Sequence, residues 1–120
     1  MAKILIVDDV HTDREILGKV VTQIGHNPIY AEDGEHAVAA AREGQPALIL
    51  LDVVMPGMDG FRVCRTLKAD PTTAKIPIVL VTTKGGDSDR FWGKKQGAED
   101  HVAKPYTSES MQAVIRRFVR

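Results

Sequence analysis

The segments Ile4-Leu5-Ile6-Val7 and Ala47-Leu48-Ile49-Leu50-Leu51 are apolar at every position. They lack the alternation of a strand with one wet face, and they are too short for a buried helix. Runs of this kind fit strands of a parallel sheet whose two faces are both covered. Pro28-Ile29-Tyr30-Ala31, Ile76 to Val81 and the weaker His101-Val102-Ala103 continue the series, giving five candidate strands.

Segments of helical period lie between and after these runs. Thr12 and Glu15 have the spacing of a capping box ahead of Ile16, Leu17, Val20, Val21 and Ile24, with Gly25 placed to end that helix. A second helix is expected from Asp33 or Gly34 through Ala37 to Arg42, ending at Gly44. A third runs from about Phe61 to Lys68 and stops at Asp70-Pro71. The last opens near Thr107 or Ser108 and carries Met111, Val114, Ile115, Phe118 and Val119 on one face. The fourth, about Ser88 to Gln96, is the poorest. Phe91 and Trp92 are its only large apolar residues, and Gly93 in its interior costs about 1 kcal/mol against Ala. Five strand-helix units predict an α/β doubly wound fold with a five-stranded parallel sheet and five helices, in one domain over residues 1–120.

Composition narrows the function classes. Lys plus Arg and Asp plus Glu each total 16 in 120 residues, so the formal charge is zero and no basic footprint for nucleic acid follows. No apolar stretch approaches the roughly 20 residues that span a bilayer, and the N-terminus does not read as a secretion signal. The single cysteine, Cys64, has no internal disulfide partner and no metal-ligand companions. These features predict a cytoplasmic protein without membrane insertion.

The polar residues that close the strands point to chemistry. Asp8 and Asp9 follow the first run, Asp52 the third, Thr82 ends the fourth and Lys104 follows the fifth. Ligands of open parallel sheets bind at the carboxyl ends of the strands, where strand order reverses. If the order is 2-1-3-4-5, the first and third strands are neighbours and their three carboxylates converge. Converging carboxylates need a cation or shifted protonation, and a donor set of hard oxygens without Cys or His suits Mg²⁺. With a divalent metal and Lys104 the formal charge is near zero, and Thr82 adds a hydroxyl donor. Those are the parts of a phosphoryl transfer to a carboxylate. No P-loop and no GxGxxG accompany them, which disfavours nucleotide binding. Taken singly, each residue has an ordinary structural explanation, as a turn, a cap or a surface lysine. It is their joint placement that argues for function.

Four segments, Ile4-Leu5-Ile6-Val7-Asp8-Asp9, Leu51-Asp52-Val53-Val54-Met55-Pro56-Gly57-Met58-Asp59-Gly60, Val81-Thr82-Thr83 and Ala103-Lys104-Pro105, resemble the receiver domain of bacterial two-component response regulators, the CheY-like, flavodoxin-like superfamily. The resemblance implies that Asp52 is the phosphoacceptor and that Asp8, Asp9, Asp52 and the Val54 carbonyl bind Mg²⁺. It implies that Thr82 and Lys104 bind phosphoryl oxygens and that Lys104-Pro105 is a cis peptide. A histidine kinase or phosphotransfer domain is the implied donor, and an output protein the implied reader. Thr82-Thr83-Lys84 and Asp89 to Ala98, with Asp100, further resemble single-domain twitching-motility regulators of the PilH type, which serve chemotaxis-like pathways controlling type IV pili.

The family's aromatic switch position holds His101 here, which is either a switch residue or a solvent-facing histidine on an edge strand. Thr83 is bulkier than the small residue common there and is expected to narrow the site, while Val54 and Lys84 stand where phosphoryl lifetime is tuned. Phe91, Trp92, Lys94 and Lys95 are candidates for an output surface, the alternatives being that Trp92 packs on the sheet and that the lysines are simply solvated. With one helix after the fifth strand, a monomer that signals by protein contact is expected. A phosphate sink or phosphorelay intermediate is the nearest alternative. A magnesium-dependent phosphatase of the haloacid dehalogenase type would need an acid where Val54 stands, and a flavin module would need a phosphate loop after the first strand.

Overall fold

A computed structural model describes residues 1–84 and 86–120. The strands are β1 (Lys3–Val7), β2 (Asn27–Ala31), β3 (Leu48–Leu51), β4 (Ile78–Thr82) and β5 (Asp100–Ala103). The helices among the described residues are α1 (His11–Gln23), α2 (Gly34–Gly44), α3 (Gly60–Ala69), α4 (Asp87–Lys95) and α5 (Ser108–Phe118). All strand pairs are parallel, and the order is β2-β1-β3-β4-β5. The reversal of order therefore falls between β1 and β3, which meets the condition under which the three carboxylates converge.

The continuous apolar runs are explained by two cores, one on each face of the sheet. Leu5, Val7, Ile49, Leu51, Ile78 and Leu80 point to the side of α2 and α3, against Ala37, Val38, Val63 and Leu67. Ile4, Ile6, Leu48, Leu50, Val79 and Val81 point to the side of α1 and α5, against Leu17, Val21, Met111 and Ile115. Neighbouring strand residues serve opposite faces, so no position can be polar without cost. No helix among the described residues is long and apolar enough to cross a membrane.

Helix starts agree with the sequence where a side chain caps them. Asp33 accepts from the His36 backbone N–H, Asp59 from that of Arg62, and Thr107 forms a capping box with Ser110. The predicted box of Thr12 and Glu15 does not form. Asp8 Oδ1 accepts from the Val10 backbone N–H at 2.9 Å, which turns the chain early, and α1 begins at His11 with no side-chain cap. Glu15 instead meets His11 Nε2 at 2.9 Å on the exposed side of the helix.

Gly93 has a packing reason to interrupt α4. A Cβ there would stand 2.6 Å from Leu80 Cδ1, so the glycine lets the helix lie close against the sheet. It is the buried residue of that helix, whereas Phe91 and Trp92 are 62% and 51% exposed. The alternative in which Trp92 packs on the sheet is thereby corrected.

Candidate functional site

The carboxyl ends of β1 and β3 place the acids. Val7 and Leu51 are register partners, and the ladder runs one step further, with the Asp52 N–H donating to the Val7 carbonyl at 2.9 Å. Asp8 and Asp52 thus leave adjacent strands side by side, both buried, while Asp9 is exposed. Arg14 secures the turn from α1, donating to the Asp8 carbonyl oxygen at 2.7 Å. On the β3 side, Gly60 opens α3 directly beneath the loop. A Cβ at that position would fall 2.1 Å from the Asp52 carbonyl oxygen, so only glycine lets α3 approach this backbone.

Each of Asp8, Asp9 and Asp52 offers one carboxylate oxygen, and these oxygens lie within 4.8 Å of one another. A set of hard oxygens drawn from three acids, open on the Asp9 side, fits a magnesium ion, which keeps waters and takes few protein ligands. Val54 is half exposed beside them, and its N–H donates to Asp52 Oδ1 at 3.2 Å.

Lys104 enters from the end of β5. Its backbone N–H donates to the Thr82 carbonyl at 2.9 Å, extending the pairing of β5 with β4, and its peptide bond to Pro105 is cis. The ammonium reaches Asp8 Oδ2 at 2.7 Å, Asp13 Oδ2 at 2.9 Å and Asp52 Oδ2 at 3.5 Å. Burial alone would favour the neutral amine. The hydrogen bonds to Asp8 and Asp13, with the charge of Asp52, outweigh burial and raise the Lys104 pKa above the ordinary lysine value. Thr82 is fully buried, and its hydroxyl accepts from the Lys84 N–H at 3.3 Å.

Asp13 was not among the residues the sequence singled out. Its spacing in the sequence does not mark it, and it is the fold that brings the first turn of α1 to the Lys104 ammonium. With Asp13 counted, the site holds four carboxylates and one ammonium, three of the acids within 3.5 Å of it, for a formal charge of −3. A divalent cation would leave −1 rather than zero. Thr83 is exposed and lines a groove of about 280 Å³ with Asp13, Ile16, Lys104, Pro105 and Tyr106.

His101 is not solvent-facing. It is 8% exposed, and its Nε2 lies 2.7 Å from the Lys84 carbonyl; since a carbonyl only accepts, Nε2 carries the proton. Nδ1 has no partner among the described residues. Burial is the main cause of a lowered His101 pKa, with Arg90 adding to it and the Lys84 carbonyl and Asp89 opposing. Phe91, Trp92, Lys94 and Lys95 lie away from the acids, on the exposed surface of α4, where the Lys95 ammonium stands 5.4 Å from the Phe91 ring centre.

Comparison with known proteins agrees with this geometry. The response regulator receiver domain family matches residues 4–116. The chain is 44% identical over 115 residues to protein PilH of Pseudomonas aeruginosa, covering 96% of this chain and 95% of that one. Among solved structures, the chemotaxis protein CheY4 of Vibrio cholerae superposes with a TM-score of 0.93 at 29% identity, over 99% of both chains. The receiver domain of a Pseudomonas aeruginosa sensor histidine kinase, which has a magnesium ion coordinated in its active-site cleft, gives a TM-score of 0.90 at 26% identity, over 98% of this chain and 96% of that one. The chain belongs to the response regulator receiver domain family.

Proposed function

We propose that residues 1–120 act as one receiver domain that accepts a phosphoryl group on Asp52 from a phosphohistidine of a kinase or phosphotransfer protein. The observation that carries this reading is the arrangement around Asp52: a buried carboxylate with two further acids in reach and an ammonium at 3.5 Å. An Asp52 oxygen attacks phosphorus, a P–O bond forms, and the P–N bond breaks with its electron pair left on the imidazole nitrogen. Asp8, Asp9, Asp52 and the Val54 carbonyl would hold Mg²⁺, which when bound neutralises phosphoryl oxygens. Lys104 and the Thr82 hydroxyl donate to those oxygens.

Replacing a carboxylate by an acyl phosphate adds about one negative charge at pH 7. Thr82 moving toward it would release the Lys84 N–H and shift the loop whose Lys84 carbonyl holds His101. His101 thereby couples the site to β5 and α4, and the exposed Phe91, Trp92, Lys94 and Lys95 present the changed surface to an output protein. Receiver domains serve signalling rather than turnover, and the likeness to PilH supports a role in a chemotaxis-like pathway that controls type IV pilus twitching motility. We place the protein in the cytoplasm as a monomer.

Incubation with a phosphorylated histidine kinase tests the reading. Label is expected to pass to the wild type as a hydroxylamine-sensitive acyl phosphate and not to Asp52→Asn. Equal labelling of the two proteins would contradict it.

A further inference from the structure

An ammonium has three N–H donors, and the structure accounts for two of those on Lys104. One reaches Asp8 Oδ2 at 2.7 Å and one reaches Asp13 Oδ2 at 2.9 Å. Asp52 Oδ2, at 3.5 Å, stands at an ion-pair separation rather than an ordinary hydrogen-bond length. In the resting protein Lys104 is thus held by two acids other than the one it is to serve.

The two holders are not equivalent. The Asp8 side chain has no exposed surface, and its Oδ1 is already committed to the Val10 N–H. Losing Lys104 would leave a buried charge short of a donor, which is costly. The Asp13 side chain is 36% exposed and can exchange the ammonium for water. If Lys104 gives up one contact to bind a new anion, Asp13 is the one it gives up.

We propose that Asp13 is a positioning residue that holds the Lys104 ammonium at rest and competes with the phosphoryl group on Asp52 for it. The inference rests on Asp52 being the phosphoacceptor. Two effects act in the same direction. Asp13 occupies a donor that a phosphoryl oxygen would take, and it keeps the site one negative charge beyond what a divalent cation and Lys104 balance. Asp13 therefore sets the occupancy of the phosphorylated state without touching the phosphoryl group. Asn at this position keeps the shape and weakens the hold, because it removes the negative charge that pairs with the ammonium and leaves a neutral acceptor.

Beryllofluoride in the presence of Mg²⁺ is the probe, followed by ¹⁹F NMR of the bound species. Asp13→Asn is expected to bind it about three- to tenfold more tightly than wild type, the span of one net hydrogen bond. Asp13→Glu is expected to return toward wild type. In a Lys104→Met background the gain from Asp13→Asn should fall to less than about twofold, since contacting residues are non-additive. Unchanged or weaker binding by Asp13→Asn overturns the proposal, as does an equal gain with and without Lys104, which would mean a field effect alone. Should Lys104→Met take up no beryllofluoride, proton exchange of the Lys104 ammonium by ¹⁵N NMR decides. Asp13→Asn should speed exchange in the resting protein and leave it unchanged once beryllofluoride is bound; equal exchange at rest overturns the proposal. Failure of wild type to bind beryllofluoride at all would overturn the reading of Asp52 as well, and so is distinguishable from failure at Asp13.

Discussion

Asp8 and Lys104 are separated by 96 positions in the chain, yet the ammonium of one donates to the carboxylate of the other at 2.7 Å, with Asp8 fully buried. This contact ties the end of β1 to the end of β5 across the middle of the sheet. It also makes the site's single ammonium part of the fold, so the same residue stabilises the resting protein and supplies a donor to the proposed reaction.

Lys104→Met should therefore cost stability, by about 1.5–3 kcal/mol, the range for hydrogen bonds to charged groups. Urea unfolding at low ionic strength measures it, and added MgCl₂ should recover part of the loss by neutralising the acids left behind. The folded-state pKa of Lys104 is raised, so its contribution is complete below the unfolded value of 10.5 and fades only as pH rises above it. Between pH 6 and 9 the cost of Lys104→Met should be flat.

Asp9 is the exposed member of the acid cluster and lies where a hydrated cation would approach. Mg²⁺ should raise the wild-type unfolding midpoint, by about 2.7 kcal/mol of stability at a hundred times the dissociation constant. Asp9→Ala should lose most of this increment. Thermal unfolding with Mg²⁺ titrated from zero gives the comparison.

His101 brings a pH dependence of the opposite kind from Lys104. Its folded-state pKa is lowered from 6.5 because the buried ring is better neutral, so the unfolded chain binds the proton more readily. Stability from this group is complete above about pH 6.5 and is lost as pH falls toward the lowered value. His36 works the other way, since its hydrogen bond to Asp33 raises its pKa. Comparing wild type with His101→Phe isolates the effect: the variant should lose less stability than wild type between pH 7 and pH 5.

Helix propensity alone says that Gly93→Ala would stabilise α4 by about 1 kcal/mol. The 2.6 Å approach of its Cβ to Leu80 Cδ1 reverses that sign, since overpacking a core commonly costs about 1–3 kcal/mol. A net loss of unfolding free energy is expected. An exposed control within the same helix, Ser88→Ala, tests propensity without the clash.

Much of this architecture is legible before any coordinates. The runs Ile4 to Val7 and Ala47 to Leu51 announce strands covered on both sides, and Asp8, Asp9, Asp52 and Lys104 then collect at one edge because parallel strands all end there. The misses have local causes. Thr12 and Glu15 satisfy a capping pattern, but the Asp8 side chain turns the backbone two residues after it and starts the helix sooner. Asp13 lies in the first turn under either start, and its role depends on which way that turn faces. His101 reads from sequence as either a switch residue or an edge-strand histidine facing water, and the structure excludes the second, with the ring buried beside Gly93 and bonded to the Lys84 carbonyl. Patterns of period report which face is apolar; they do not report which polar group a loop delivers to that face.

The phosphoacceptor assignment meets its most direct test in intact-mass spectrometry of the protein incubated with Mg²⁺ and a small phosphodonor such as phosphoramidate. The account predicts a mass gain of one phosphoryl group on wild type, reversed by hydroxylamine and absent from Asp52→Asn with its fold preserved. A gain of the same size on Asp52→Asn, or none on wild type from either this donor or a phosphorylated kinase, would contradict it.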